Sequence, residues 1–367
     1  QDLQTGARTR VSTDSAGNEG NSYSFTVPAA TLSDDGRYVV FASGATNLVA
    51  GDTNGFWDVF LHDIQTGATT RESVSGAEVQ GNRVSYGPAF SDGARYVAFA
   101  SWASNLVPGD VNDRTDVFVR DLQTGATTLA SVSSSGVQAN QHCDTAQVSS
   151  DGRYVAFFSI STTLVPGDSN GTGDVFVRDT VAGTTEFATL DASGAQVAWA
   201  MPGTPVSMSA DGRYVAFHGV GPFVPSDTNG ARDVYVRDRT AATTIRASVS
   251  SSGAQGDGDS SLGSISADGR YVAFESLASN LVQGDTNAVE DIFVRDLVQG
   301  TTTRVSVSSG GAQADGHCHS PSISPDGRYV AFWSEATNLV AGDTNGQADV
   351  FVRDLQTGTT TRESLDS

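Results

Sequence analysis

Lysine does not occur in this 367-residue chain; all 21 basic residues are arginine. That absence excludes a Schiff-base lysine and a P-loop lysine. The two cysteines decide little about redox compartment. No apolar run approaches 18 residues, so no helix is expected to span a membrane and no membrane insertion is expected. No segment repeats its apolar residues with a helical period. Positive charge is outnumbered: 42 acidic residues give a net charge of −21. Such a surface repels phosphate backbones, which excludes nucleic acid as an expected partner, and it suits cations. His-Glu-x-x-His is also missing, so that zinc route to hydrolysis is not expected.

What is present is a repeat of about 58 residues, found six times. A Gly-Asp-Thr-like tripeptide places Asp52, Asp110, Asp168, Asp227, Asp285 and Asp343, and an Arg-Tyr pair begins at Arg37, Arg95, Arg153, Arg213, Arg270 and Arg328. Units this short cannot each bury a core alone. In the copy at 319–365, a strand-like run from His319 leads to the turn Pro325-Asp326-Gly327, then to an aromatic and β-branched run from Arg328 to Trp333. A long loop, a third run from Asp349 to Asp354, the turn Gln356-Thr357-Gly358 and a fourth run from Thr359 complete the unit. The expectation is an all-β, six-bladed β-propeller with four antiparallel strands per blade, as one domain over 1–367. Blades fall near 24–74, 84–132, 142–189, 203–249, 261–307 and 319–365; a β-solenoid is the alternative. Residues 1–23 hold an extra fourth-type strand, Thr9-Arg10-Val11-Ser12, and a linker. Six copies of strands one to three therefore meet seven of strand four; the surplus copy either frays or pairs with another molecule. The chain opens inside a repeat, at Gln1-Asp2-Leu3, as expected of a processed or trimmed start.

Ser-x-Asp-Gly-Arg-Tyr-Val-Ala-Phe followed by Asp-Val-Phe-Val-Arg-Asp resembles the WD40-like repeat of TolB-type bacterial β-propellers. The resemblance recurs in every blade, with a longer loop between strands two and three and a longer inter-blade linker than the family repeat. It implies the propeller fold and a secreted, extracellular or periplasmic location. It does not imply one function, because that family spans scaffolds, peptidase domains and uncharacterised secreted proteins.

Each blade carries Asp-x-Asn-x-x-x-Asp: Asp52, Asn54 and Asp58; Asp110, Asn112 and Asp116; Asp168, Asn170 and Asp174; Asp227, Asn229 and Asp233; Asp285, Asn287 and Asp291; Asp343, Asn345 and Asp349. Oxygen side chains alternating on a tight loop are what Ca²⁺ requires, and unneutralised carboxylates would repel one another. The alternative is an Asx-turn without metal. A second, sixfold feature is Arg-Asp ending strand three, as in Arg178-Asp179, expected to serve structural ion pairs with the arginine of the Asp-Gly-Arg-Tyr turn.

Only blades 3 and 6 carry His142-Cys143 and His317-Cys318-His319 at the start of strand one. If these lie at the channel mouth they offer a transition-metal site or a Cys143–Cys318 disulfide; the third possibility is two separate buried thiols. Exposed aromatics including Phe56, Trp57, Tyr86, Trp102 and Trp199 on the long-loop face suit a carbohydrate or protein partner. The leading expectation is thus a secreted, non-catalytic calcium-binding module for recognition or assembly. The alternatives are an extracellular polymer subunit joined through the surplus strand, and a metal-dependent enzyme resembling polysaccharide lyases, with a histidine site at the channel mouth.

Overall fold

The computed structural model describes residues 2, 5–25, 31–91, 93–197 and 206–364. Trp199 lies outside them. The protein is an all-β, six-bladed β-propeller: 24 strands form six four-stranded antiparallel sheets. Contacts divide the chain into two compact units, Gln1–Ala188 with Ala210–Gly212, and Thr189–Ser209 with Arg213–Ser367.

The first unit holds blades 1 to 3: β1 (Ser24–Phe25), β2 (Tyr38–Ser43), β3 (Asp58–Asp63) and β4 (Thr69–Arg71); β5 (Ser85–Phe90), β6 (Tyr96–Ser101), β7 (Asp116–Asp121) and β8 (Ala126–Leu129); β9 (Cys143–Val148), β10 (Tyr154–Ser159), β11 (Asp174–Asp179) and β12 (Thr184–Phe187). The second holds blades 4 to 6: β13 (Ser207–Met208), β14 (Tyr214–Gly219), β15 (Asp233–Asp238) and β16 (Thr243–Arg246); β17 (Ser260–Ile265), β18 (Tyr271–Ser276), β19 (Asp291–Asp296) and β20 (Thr301–Arg304); β21 (Cys318–Ile323), β22 (Tyr329–Ser334), β23 (Asp349–Asp354) and β24 (Thr359–Arg362). Of the two terminal fourth-strand copies, β24 completes blade 6, whereas residues 9–12 lie in no strand.

Strands two and three carry apolar residues on both faces, as suits a blade that packs against neighbouring sheet within its unit. In the second unit, Val272, Phe274 and Phe293 are fully buried with Val234, Val236 and Ala216 of the preceding blade. The Asp-Gly turn contributes a second contact. Gly327 has φ +72°, and a Cβ there would come within 2.2 Å of the Tyr271 ring of the preceding blade. Glycine is needed for both the left-handed backbone and the close approach. Behind each such tyrosine stands its neighbouring arginine: Arg270 lies 4.7 Å from the Tyr271 ring centre and donates to both carboxylate oxygens of Asp296.

The Arg-Asp pairs ending strand three are therefore split. Asp179 accepts from Arg153 of the Asp-Gly-Arg-Tyr turn, while Arg178 turns back to the Ser133 carbonyl and the Thr185 hydroxyl. Strand one is less regular. In β21 the register slips between His319 and Ser322, and Ser320 takes φ +51°. Such a bulge re-aims the adjacent side chains.

The Arg153 guanidinium holds Asp179 down to about 2. A carboxyl depressed below its unfolded value, about 3.9, contributes stability that is complete above that value and is lost as pH falls through the folded one. Asp179→Asn is therefore expected to lower the melting temperature at pH 7, with the difference from wild type vanishing as pH approaches 2. Thermal melts of both proteins across that range test it; a difference that persists unchanged into acid would assign the loss to packing instead.

Candidate metal centre

The sixfold Asp/Asn loops are closed by the protein's own donors. In blade 4, Asp233 begins β15 fully buried, and its carboxylate accepts from Ser248 Oγ at 2.5 Å. Arg246 from β16 reaches Asp233 at 3.1 Å and Asp227 at 3.5 Å. Gln255 of the following linker donates to Asp227 at 3.0 Å. Arg71, Arg304 and Arg362 repeat this bridge in blades 1, 5 and 6. The asparagines face the wrong way for a cation. Asn54, Asn112, Asn170, Asn287 and Asn345 each turn their amide N–H towards the strand-three aspartate. The amide oxygen accepts from the backbone two residues on, as Asn54 does from Phe56 and Asn229 from Ala231. That is the Asx-turn geometry. In blades 1, 4, 5 and 6 an arginine supplies positive charge between the loop aspartates, and no calcium site is evident among the described residues of these loops.

Blade 2 has Leu129 where blade 4 has Arg246. Asp116 there keeps Ser131 and Asn112 as donors, and burial pushes it up to about 6. Blade 3 has Phe187 at the same place.

The cysteines follow the third of the possibilities raised for them, the buried thiols. Both thiols are free and buried. Cys143 packs among Ala98, Val117, Val155 and Phe157 in the first unit, and Cys318 among Ala273, Ile292, Val330 and Phe332 in the second. Each Sγ lies against a serine hydroxyl, Ser159 or Ser334. Burial pushes the Cys318 thiol up to about 12 and raises Cys143 further. Neither is placed as a metal ligand or in a disulfide, because each points into a core between sheets.

The histidines separate as well. In the first unit, His142 Nδ1 accepts from Thr115 N at 3.1 Å and its ring lies 4.7 Å from that of Trp102. Asp144, two residues after His142, is taken by the Tyr86 hydroxyl. In the second unit the same backbone frame carries different side chains. His317 Nδ1 accepts from Glu290 N at 3.3 Å, which places its proton on Nε2 and leaves the Nδ1 lone pair facing Glu290. Glu290 Oε2 lies 3.4 Å from His317 Nδ1 and 3.2 Å from His319 Nδ1. The two imidazoles are nearly parallel, with centres 5.8 Å apart, and His319 packs on Trp333 at 4.5 Å. One ligand atom from each of Glu290, His317 and His319 falls within 4.8 Å of the others.

The two carboxylate–imidazole separations are those of a transition-metal site. Four ligands about 2.0–2.1 Å from a tetrahedral ion stand about 3.3–3.4 Å from one another. Glu275 borders the triad, its Oε2 3.7 Å from His319 Nδ1. That carboxylate accepts from Ser320 N at 2.8 Å, the positive-φ residue of the bulge, so the bulge ties β21 to β18 at the site. Burial pushes Glu275 above its ordinary value, against the Ser320 N–H and the neighbouring His319. Of this group the sequence pattern singled out His317 and His319 but neither glutamate. The signal for Glu275 was its place as the fifth residue of strand two, where the other blades carry Ala42, Ala100, Phe158, His218 and Trp333. Glu290, likewise, stands directly before the strand-three aspartate, where the repeat does not hold residue type constant.

No protein-family model matches this sequence, and no curated protein matches it. Solved structures match in fold. An oligogalacturonate lyase in complex with manganese aligns with a TM-score of 0.56 at 14% identity, over 94% of this chain and 79% of its own. Pyrococcus horikoshii acylaminoacyl peptidase aligns at 0.53 and 10% identity, over 93% of this chain and 46% of its own. TolB from Acinetobacter baumannii aligns at 0.48 and 16% identity over 83% of this chain, which spans 59% of that TolB chain. At such identities the shared feature is the propeller fold, and the TolB type is not singled out among propellers.

The arginine bridges make one firm expectation. Arg246→Leu leaves Asp227 and Asp233 buried without their cation, and removing one partner of a buried pair costs about 3–5 kcal/mol. Denaturant unfolding is expected to shift accordingly. Recovery of the lost stability by added Ca²⁺ would show that the loop accepts a metal once its arginine is gone.

Proposed function

We propose that this protein is a metal-dependent propeller whose working centre is a divalent transition-metal ion held by Glu290, His317 and His319. The observation that carries this is the spacing of the three ligand atoms, with the Nδ1 of each histidine within 3.4 Å of one carboxylate oxygen. Three protein ligands leave at least one position for water or substrate, the pattern of catalytic rather than structural metal sites. The ion would polarise an oxygen bound in that position. This reading replaces the sixfold calcium loops with one asymmetric site.

The protein should bind about one Mn²⁺, Co²⁺ or Zn²⁺ per chain. Elemental analysis after loading and desalting tests this: His319→Ala and Glu290→Gln should each lose the metal while melting as cooperatively as the metal-free wild type. Retention by both variants, or no uptake by wild type, would remove the reading.

A second reading concerns reaction class, favoured by the fold likeness to the manganese-bound lyase and by the position of Glu275. A metal-bound carboxylate acidifies the hydrogen on the adjacent carbon. Glu275, its basicity raised by burial, stands beside the triad and would take that proton. The electron pair then forms a C=C bond as the β-oxygen leaves, and that oxygen takes a proton from solvent. Manganese-loaded protein given an acidic polysaccharide should generate the ultraviolet absorbance of an unsaturated uronate. Glu275→Gln should abolish it without releasing the metal; equal activity in that variant would assign the proton transfer elsewhere.

A further inference from the structure

Arginine is the one cation in this chain with a permanent charge, and carboxylates outnumber basic residues 42 to 21. Among the described residues several arginines nevertheless form no ion pair with a carboxylate, Arg178 and Arg295 among them, and donate to carbonyl and hydroxyl oxygens instead. Arg232 is such a residue. It stands directly before the buried Asp233, the place Glu290 occupies before Asp291 one blade on. Its backbone N–H is held by Asp259 Oδ1 at 2.8 Å, which sets the start of β15. Its guanidinium donates through Nη1 to Ser261 Oγ at 2.7 Å. Its Nε is buried with no hydrogen-bond partner, and among the described residues no carboxylate lies within ion-pair distance of it.

Arg232 sits next to the metal triad. Ser261, which holds its guanidinium, is the cross-strand partner of Glu275. Directly opposed residues share one face of a sheet with their Cβ atoms about 4.5–5.5 Å apart. Glu275 in turn lies 3.7 Å from His319. The positive charge is also felt along this row: Arg232 acts to lower both Glu275 and the buried His218, which burial and Arg232 together hold down to about 4. His218 Nδ1 accepts from Leu262 N at 2.9 Å, so this histidine is neutral near pH 7 and does not compete for an anion. A guanidinium fixed by Ser261 beside the proposed metal position would make a two-point receptor for a carboxylate and a neighbouring oxygen.

We propose that Arg232, oriented by Ser261, is the anion-binding residue of this site, and that the ligand is a carboxylate-bearing sugar of the uronate type. Its carboxylate pairs with the guanidinium, and an adjacent oxygen reaches the metal. The proposal rests on the metal reading above, and it names the charge that selects the ligand. In so acidic a protein an anionic ligand needs a local cation, and Arg232 supplies one beside the triad.

Calorimetric titration of manganese-loaded protein with D-galacturonate tests this, with methyl galactoside as the neutral control. Wild type should bind galacturonate at least about tenfold more tightly than the neutral sugar, since a charge-assisted pair contributes about 1.5–3 kcal/mol. Arg232→Gln should lose about tenfold or more for galacturonate, keep wild-type metal stoichiometry and bind the neutral sugar unchanged. Arg232→Lys should retain part of the preference, which guards against a loss through misfolding. Equal binding by wild type and Arg232→Gln, no discrimination between the sugars, or no galacturonate binding overturns the proposal. If wild type takes up no metal, the metal reading fails by itself. The titration then continues on metal-free protein, where an Arg232-dependent preference still supports the anion subsite and its absence overturns it.

Discussion

Everything in these blades hangs on a buried aspartate at the start of strand three. Asp58, Asp116, Asp174, Asp233 and Asp291 are fully buried, and burying a carboxylate is tolerated only where hydrogen bonds and charge surround it. The partners come from different segments: a serine two residues past strand four, an asparagine of the preceding loop and, in four blades, an arginine on strand four. One costly group thus ties strand three to its outer neighbour and to its own entry loop. The following linker joins through its glutamine, as Gln80 does at Asp52 and Asp58. A burial that would destabilise an isolated strand becomes the point that sets its register.

That register also positions chemistry. The residue just before the aspartate emerges from the core at a place dictated by the buried carboxylate, and its own side chain is left free to vary: Trp57, Thr115, Gly173, Arg232, Glu290 and Ala348. Glu290 and Arg232 are two uses of the same scaffold position in successive blades. The residue before strand one behaves similarly. His142, His317 and Asp259 all accept the backbone N–H of that pre-aspartate residue, so a cap that serves structure in blade 3 can become a ligand in blade 6. What differs is the partner. Thr115 offers His142 no carboxylate, whereas Glu290 offers His317 one at 3.4 Å.

The repeat arithmetic carried much of this. The strand positions, the Asp-Gly turns and the apolar middle strands follow from periodicity, because a turn needing positive φ and a strand covered on both faces leave strong local marks. Histidines breaking the pattern in blade 6 were also visible. Between calcium and the Asx-turn the acidic loops could not be decided from the string, for a physical reason. Composition counts carboxylates but not the arginine from strand four that lies between them, and an asparagine in the string does not tell which end of its amide faces the aspartate. Of the three readings open for Cys143 and Cys318, the buried thiols prevailed, because a position next to a histidine in sequence becomes, on a strand, a position on the opposite face.

Sequence by itself determined the six-bladed, all-β architecture, since each blade repeats short-range signals that need no distant partner to be read. It also determined which residues depart from the repeat. Only tertiary structure decided what the departures do. Glu275, Glu290 and His319 are separated along the chain and meet because β17, β18 and β19 of one blade pack beside β21 of the next, with the bulge at Ser320 fixing the contact. Arg232 joins them through Ser261 on the strand paired with that of Glu275. A carboxylate becomes a ligand, a scaffold anchor or a counter-ion according to what packing places within about 4 Å of it, where an ion pair forms, and no local pattern encodes that distance.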